Sequence, residues 1–222
     1  MYPDLELLLT PGDLARATAP DGAGGPGTLD VEDAGAVAEA RAAIAHAQEA
    51  VAGRLGYPPL VRAVRQLVVY PPYGPFDRVH PLGGPVAEVF TAGVTTDGAR
   101  LYPTPAAVPY PPPAIDYAAG WRGDHHHVDP DALADDDALE DLRGLPGLAA
   151  LTALPPALPG DVRSVLVEVA WLEYDRRRRS ELGGRRTVVT VGEGRATSAG
   201  YRANAEAEAL DRLSPRHRHV SV

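Results

Sequence analysis

The chain has 222 residues, a formal net charge of −9, 45% hydrophobic and 23% charged residues, and no Cys. This composition reads as a globular chain of one domain with excursions, and it excludes disulfides, zinc–thiolate sites and thiol catalysis. Every basic residue is Arg; the acidic balance argues against general DNA binding, which needs a basic footprint, and no apolar run is long enough to span a membrane.

Gly and Pro supply 23 residues each, which predicts a modest core joined by long loops. Residues 1–28 read as an extended arm ending in the flexible loop DGAGGPG. Their start, MYPDLELLLTPGD, is acidic with a short apolar run, unlike a signal peptide. The first helix is predicted from Val31 to Leu55, with Asp30 as N-cap and Glu32 and Asp33 at its positive end. Val37, Ile44 and Val51 recur at heptad spacing, and Gly56 and Pro58 stop the helix.

A β region follows. VRAVRQLVVY (61–70) is rich in β-branched residues, and VAEVFTAGVTTDGARLY (86–102) places Asp97-Gly98 between two strand-like runs, a hairpin signal. AIDYAAGW (114–121) reads as a further strand entered through Pro111-Pro112-Pro113. Residues 122–157 read as an inserted long loop. It carries His125, His126 and His127, then an acidic run that includes Asp135, Asp136 and Asp137. Beyond it come a helix from Leu158 to Arg179, a β-like run at 185–192 and a short helix from Ala203 to Leu213 capped by Asn204. The tail SPRHRHVSV (214–222) is expected to have no structure of its own.

The helix after the insertion is apolar nearly all round. At 100° per residue, Val165, Leu166, Val169 and Leu172 share one face, and Val167, Trp171 and Tyr174 lie roughly opposite. Such a helix is buried on two sides, either inside one chain or against a neighbouring subunit. Arg176, Arg177, Arg178 and Arg179 point in four directions, so they do not form one DNA-reading face. They read either as a solvated helix end suited to the dipole or as partners for acids on an adjacent subunit.

Tests for chemistry return little. Gly22, Gly24 and Gly27 match a dinucleotide-binding spacing, but Pro26 interrupts it and no strand precedes it. A Walker A loop needs Lys, and neither H-E-x-x-H nor G-x-S-x-G occurs. His125, His126 and His127 with Asp124 and Asp129 are competent metal ligands, yet adjacent histidines in a loop lack helical zinc-site geometry. No catalytic residue and no cofactor are expected.

The order of motifs nonetheless resembles a known family. AAIAHAQEAVAGRLGYP closes the first helix in an "LGRP"-like turn, Leu55-Gly56-Tyr57-Pro58. GPVAEVFTAGVTTDGARL carries a "V-DG" hairpin at Val94–Gly98, and Asp116–Trp121 forms a "TYTAGY"-like strand. LPGDVRSVLVEVAWLEYDRR then matches a "P-D-[IV]-R-A…A…Y-x-x-R" hallmark at Pro159, Asp161, Val162, Arg163, Ala170, Tyr174 and Arg177. In this order, over residues 30–121 and 158–213, the chain resembles the head–tail connector, or adaptor, proteins of long-tailed double-stranded DNA bacteriophages. It departs from them in its arm, its Pro-rich stretch and the His/Asp insertion.

The resemblance implies an α+β fold: a small helical bundle of a long N-terminal helix, a central helix and a short C-terminal helix, with a β-hairpin, a small antiparallel sheet and long loops. It implies an adaptor domain at 29–213, with the insertion at 122–157 and a tail at 214–222. The implied role is non-enzymatic, a virion protein of the neck assembled in the host cytoplasm. Its partners would be other copies in a ring, typically twelve, the portal protein, a stopper or tail-completion protein, and DNA passing through the lumen without specific binding. Ser214, Pro215, Arg216, His217, Arg218, His219, Val220, Ser221 and Val222 would engage the portal. Val167, Trp171, Tyr174 and Arg176–Arg179 would meet the next subunit, and Asp135, Asp136 and Asp137 would face the channel or a neighbour's arginines. The alternatives from other classes are a metal-dependent enzyme using His125–His127 and a DNA-binding protein using Arg176–Arg179.

Overall fold

A computed structural model describes residues 6–18, 29–68, 78–104, 111–123, 135–181, 188–191 and 194–213, without the side chains of 135–138, 179–181, 188–191 and 194–204. The described residues are α+β, with five helices and three small antiparallel sheets. They fall into two compact units, one built mainly on residues 55–158 and the other on 9–54 and 159–218.

The first unit is organised by its sheet. β1 (Arg62–Leu67) and β2 (Val86–Val89) flank β5 (Ala114–Ala119) in antiparallel register, with Val64 opposite Tyr117. β3 (Val94–Thr96) and β4 (Leu101–Pro103) form the hairpin expected from Asp97-Gly98. The Asp97 carboxylate accepts the amides of Ala99 and Arg100, and Gly98 takes φ +88°, the left-handed conformation such a turn favours. Gly120, at the end of β5, has φ +117°, and a Cβ there would lie 2.7 Å from the Leu60 carbonyl oxygen.

Successive side chains of a strand point to opposite faces, and β5 buries both. Ile115, Tyr117 and Ala119 pack with Val86, Val94 and Leu101. The buried Tyr117 hydroxyl donates to Gln66 Oε1 at 2.7 Å and accepts the Leu82 amide at 3.0 Å. Ala118 faces the other way, where it meets Val61 and five leucines of the stretch expected to be an inserted loop.

That expectation is corrected here. Residues 135–158 are part of the core. α3 (Asp135–Arg143) is followed by a chain of tight turns in which the amides of Leu145, Leu148 and Leu151 each bond the carbonyl three residues back. Residues three apart eclipse in such a geometry, so Leu139, Leu142, Leu145, Leu148 and Leu151 line one side and are all buried. Gly147, at φ +80°, lets this segment approach β1: a Cβ would sit 2.7 Å from that of Ala63. Glu88 on β2 fastens the far end, accepting the amides of Thr152 at 2.6 Å and Ala153 at 3.0 Å as well as the Thr152 hydroxyl.

The second unit is mainly helical. α2 (Ala34–Leu55) buries Ala40, Ala43, Ile44, Ala47 and Val51, a stripe at three- and four-residue spacing. It starts later than Val31, because Asp33 is the N-cap: its side chain accepts the Gly35 amide and its carbonyl accepts that of Val37, whereas Asp30 holds only a local turn to Glu32. α4 (Gly160–Glu181) is the expected long helix. β6 (Val188–Val191) pairs with β7 (Gly194–Thr197), which leads directly into α5 (Ser198–Asp211). Asn204 therefore lies inside α5 rather than capping it; the chain is already helical from Ser198, and Thr197, a good capping type, stands at the boundary.

The extended arm is also corrected. Pro11–Thr18 is a helix, α1, and Leu7, Leu8, Leu9 and Leu14 are buried. Thr10 and Asp13 form a reciprocal cap at its start: the Asp13 amide donates to Thr10 Oγ1 at 3.1 Å, and the Thr10 amide donates to Asp13 Oδ2 at 2.8 Å. Pro11 at the first helical position needs no amide partner there.

Candidate functional site: the exposed side of helix α4

α4 carries the residues assigned from the sequence to a subunit contact, and the structure sorts them. Val162, Val165, Leu166, Val169, Ala170 and Tyr174 are buried. Val167 and Trp171 remain half-buried on the side away from Val165 and Val169. Tyr174 is fully buried within the chain, which removes it from any accessible face. One full heptad beyond Val167, its ring has turned toward the core. It still touches Trp171, with ring centroids 5.9 Å apart. Its hydroxyl is buried with no partner in hydrogen-bonding geometry among the described residues. Burial raises its pKa, and the nearby Arg178 guanidinium offsets part of that effect.

The arginine run is held largely by its own helix. Glu173 is a buried acid, and its carboxylate accepts Arg176 Nη2 and Nε at 2.5 Å and Arg177 Nε at 2.7 Å. These are i,i+3 and i,i+4 pairs. The Arg176 hydrogen bonds hold the Glu173 pKa down at about 2 against the opposing effect of burial, with help from Arg177 and the charge of His46. Two of the four arginines are thus committed to an internal acid, which counts against a DNA-reading role. Arg178 is exposed, and Arg179 lies within α4 with its side chain outside the described residues.

At the other end of α4, Arg163 Nη2 reaches Asp13 Oδ1 at 3.0 Å and ties α1 down. Arg16 Nη2 donates to the same oxygen at 3.0 Å. Burial opposes ionisation of Asp13, but the Thr10 hydrogen bonds and the two guanidinium groups outweigh it, and the pKa is lowered. Asp13, Arg16 and Ala17 of α1 and Gly160, Arg163, Ser164 and Val167 of α4 line an open groove of about 540 Å³. Its α4 side is the same stripe that continues to Trp171.

Sequence reasoning missed Asp13, Glu173 and Glu88. Two left a signal: Thr10-Pro-Gly-Asp13 is a capping-box spacing, and Glu173 stands three and four residues before Arg176 and Arg177. Glu88 left none, because its partners lie more than sixty residues away in the chain.

The remaining candidates are not brought together. Asp135, Asp136 and Asp137 open α3, where negative charge suits the helix N-terminus; their side chains lie outside the described residues. His125, His126 and His127 and the tail from Ser214 to Val222 also lie outside them. Among the described residues no three His, Asp or Glu side chains converge as metal ligands, and no helix is long and apolar enough to cross a membrane.

No family model matches the chain, and no curated protein matches it. Similar chains occur in solved structures, two among them. One, described as "Virion of native gene transfer agent (GTA) particle", is 18% identical over 97% of this chain and 91% of that one, with a TM-score of 0.47. The other, "Neck of empty GTA particle computed with C6 symmetry", is 20% identical over the same shares, with a TM-score of 0.44.

Proposed function

We propose that this chain is a structural subunit of the neck of a tailed phage-like particle, a head–tail adaptor whose copies form a ring beneath the portal. The observation that carries the reading is the α4 hallmark. Five of its seven residues have an identifiable task on that helix: Val162, Ala170 and Tyr174 fill the core, Arg163 anchors α1, and Arg177 pairs with Glu173. The motif that resembles the adaptor family thus coincides with residues that hold the helical unit together, which supports the reading.

With that framework satisfied inside the chain, α4 still presents half-buried Val167 and Trp171 and exposed Arg178. A half-buried Trp and an exposed Arg two turns further along the same helix are residue types that subunit contacts favour. In a ring each subunit meets the next through two different patches, and closure follows from rotation. The net charge of −9 suits a lumen through which DNA slides without being held. In this reading twelve copies surround the channel, residues 214–222 engage the portal, Asp135–Asp137 face the channel or a neighbour's arginines, and the distal surface receives the stopper or tail. The role is structural, with no catalytic step and no cofactor, and its place is the virion neck.

The test is particle mass of the purified chain, alone and mixed with the portal protein of the same particle. A discrete gain matching about twelve copies, lost on deleting residues 214–222, is the expected result. No association in either preparation would overturn the adaptor reading.

A further inference from the structure

The end of α5 and the two residues after it, 205–213, are seated by few buried side chains: only Ala209 and Leu213 are fully buried there. What this stretch shows besides is charge. Glu206 lies 3.5 Å from the His46 imidazole on α2, and Asp211 pairs with Arg54, two turns further along the same helix. Arg212, just past the end of α5, pairs with Glu168 on α4, and Arg176 on α4 adds an attraction to Glu206. Two acids in this stretch therefore face basic side chains of α2, and Arg212 faces an acid of α4.

These pairs are solvent-accessible: Arg54 and Asp211 are 39% and 67% exposed, Arg212 and Glu168 57% and 40%. Exposed pairs each shift an equilibrium only by about two- to fivefold and weaken as salt screens them. The screening length falls from about 10 Å at 0.1 M to about 3 Å at 1 M. A helix end with two fully buried apolar side chains and such exposed pairs is one whose seating salt weakens.

We propose that the C-terminal part of α5, residues 205–213, is electrostatically seated and lifts from α2 and α4 when its ion pairs are screened or displaced, while α2 and α4 stay folded. The device makes the seating of this stretch respond to ionic strength or to a partner surface offering competing charges. It rests on the ion-pair pattern alone and stands whether or not the chain forms a ring.

Hydrogen exchange on the full chain tests it, comparing amides of residues 205–213 with those of α4 at about 0.05 M and about 1 M NaCl. The stretch is expected to exchange faster at high salt while α4 is unchanged. Arg54→Asp should accelerate it by a further two- to fivefold or more at low salt, roughly as an exposed pair allows. Adding Asp211→Arg to it should restore protection, which general destabilisation would not do. If residues 205–213 and α4 exchange together at every salt concentration, or the stretch ignores salt, the proposal is overturned. Should Arg54→Asp fail to fold, the salt comparison on the unaltered chain decides by itself.

Discussion

Asp13 Oδ1 accepts a hydrogen bond from Arg163 Nη2 at 3.0 Å, joining residues 150 positions apart. The acid is 7% exposed and caps its own helix at the same time. Replacing Asp13 with Asn removes the charge that both Arg163 and Arg16 need. The expected loss is about 1–3 kcal/mol in urea unfolding, the range for breaking a charge-assisted buried bond. Arg163→Gln should cost less, since Arg163 can be rehydrated. The double variant should show a coupling of about 0.5–3 kcal/mol; strictly additive losses would mean the pair contributes nothing.

Glu173 makes acid stability informative. Its pKa is about 2 in the folded chain against an ordinary 4.5. Between those values the unfolded chain binds the proton and the folded chain does not, so folding is penalised as pH falls. The stabilisation is fully present above about pH 4.5 and is lost on descending toward about pH 2. Because Arg176 is 59% exposed, screening reduces the contribution to about 1–2 kcal/mol. Glu173→Gln should be less stable at neutral pH and should show a shallower fall in stability through that window. Parallel stability curves for the two proteins would exclude the Arg176–Glu173–Arg177 cluster as the source.

How much of this was legible follows from where each signal lies. α2, α4, the β3–β4 hairpin and β5 show in the sequence because their periodicity and turn residues are local: Ile44 and Val51 mark a helix stripe, Asp97-Gly98 a turn. α1 was masked by Pro11 and Gly12, which read as loop residues although Pro is at home in a first helical turn. The core role of 135–158 was masked by composition, since His and Asp drew attention from the leucines at every third position from Leu139 to Leu154. Beyond α3, at Leu145, Leu148 and Leu151, that period belongs to tight i→i−3 turns rather than to an α-helix or a strand. Of the face proposed to meet a neighbouring subunit, Val167 and Trp171 were legible from helical angle alone. Tyr174 was misplaced because helical angle cannot tell which end of a stripe the rest of the chain covers.

The leucine segment gives a direct stability test. Leu148 is fully buried between α3 and the sheet, in a cluster with Val61 and Ala118. Leu148→Ala should cost about 2–5 kcal/mol, the range for a core leucine. A segment that merely looped over the surface would show a change within about 0.5 kcal/mol. Gly147→Ala should also destabilise, because it forces a side chain into a positive-φ position whose Cβ would strike Ala63. Urea midpoints for both variants settle whether residues 135–158 belong to the core in solution.

Trp171 and Tyr174 are neighbours with opposite expected effects. Tyr174 is wholly inside, and its hydroxyl lacks a hydrogen-bonding partner among the described residues. Tyr174→Phe removes a buried polar group that gives little in return, so it should leave stability unchanged or raise it by up to about 1 kcal/mol, without effect on association. Trp171 is half-buried on the outward stripe with Val167. Trp171→Ala should cost about 1–2 kcal/mol of fold stability, since only part of the ring is packed. If the stripe is the subunit face, the same change should weaken ring formation by about 2 kcal/mol per contact, roughly thirtyfold, as loss of a central aromatic anchor does. Unfolding curves and particle mass read the two effects separately. A Trp171→Ala chain that assembles normally would move the contact off this side of α4, and a Tyr174→Phe chain that loses association while remaining folded would return Tyr174 to the interface.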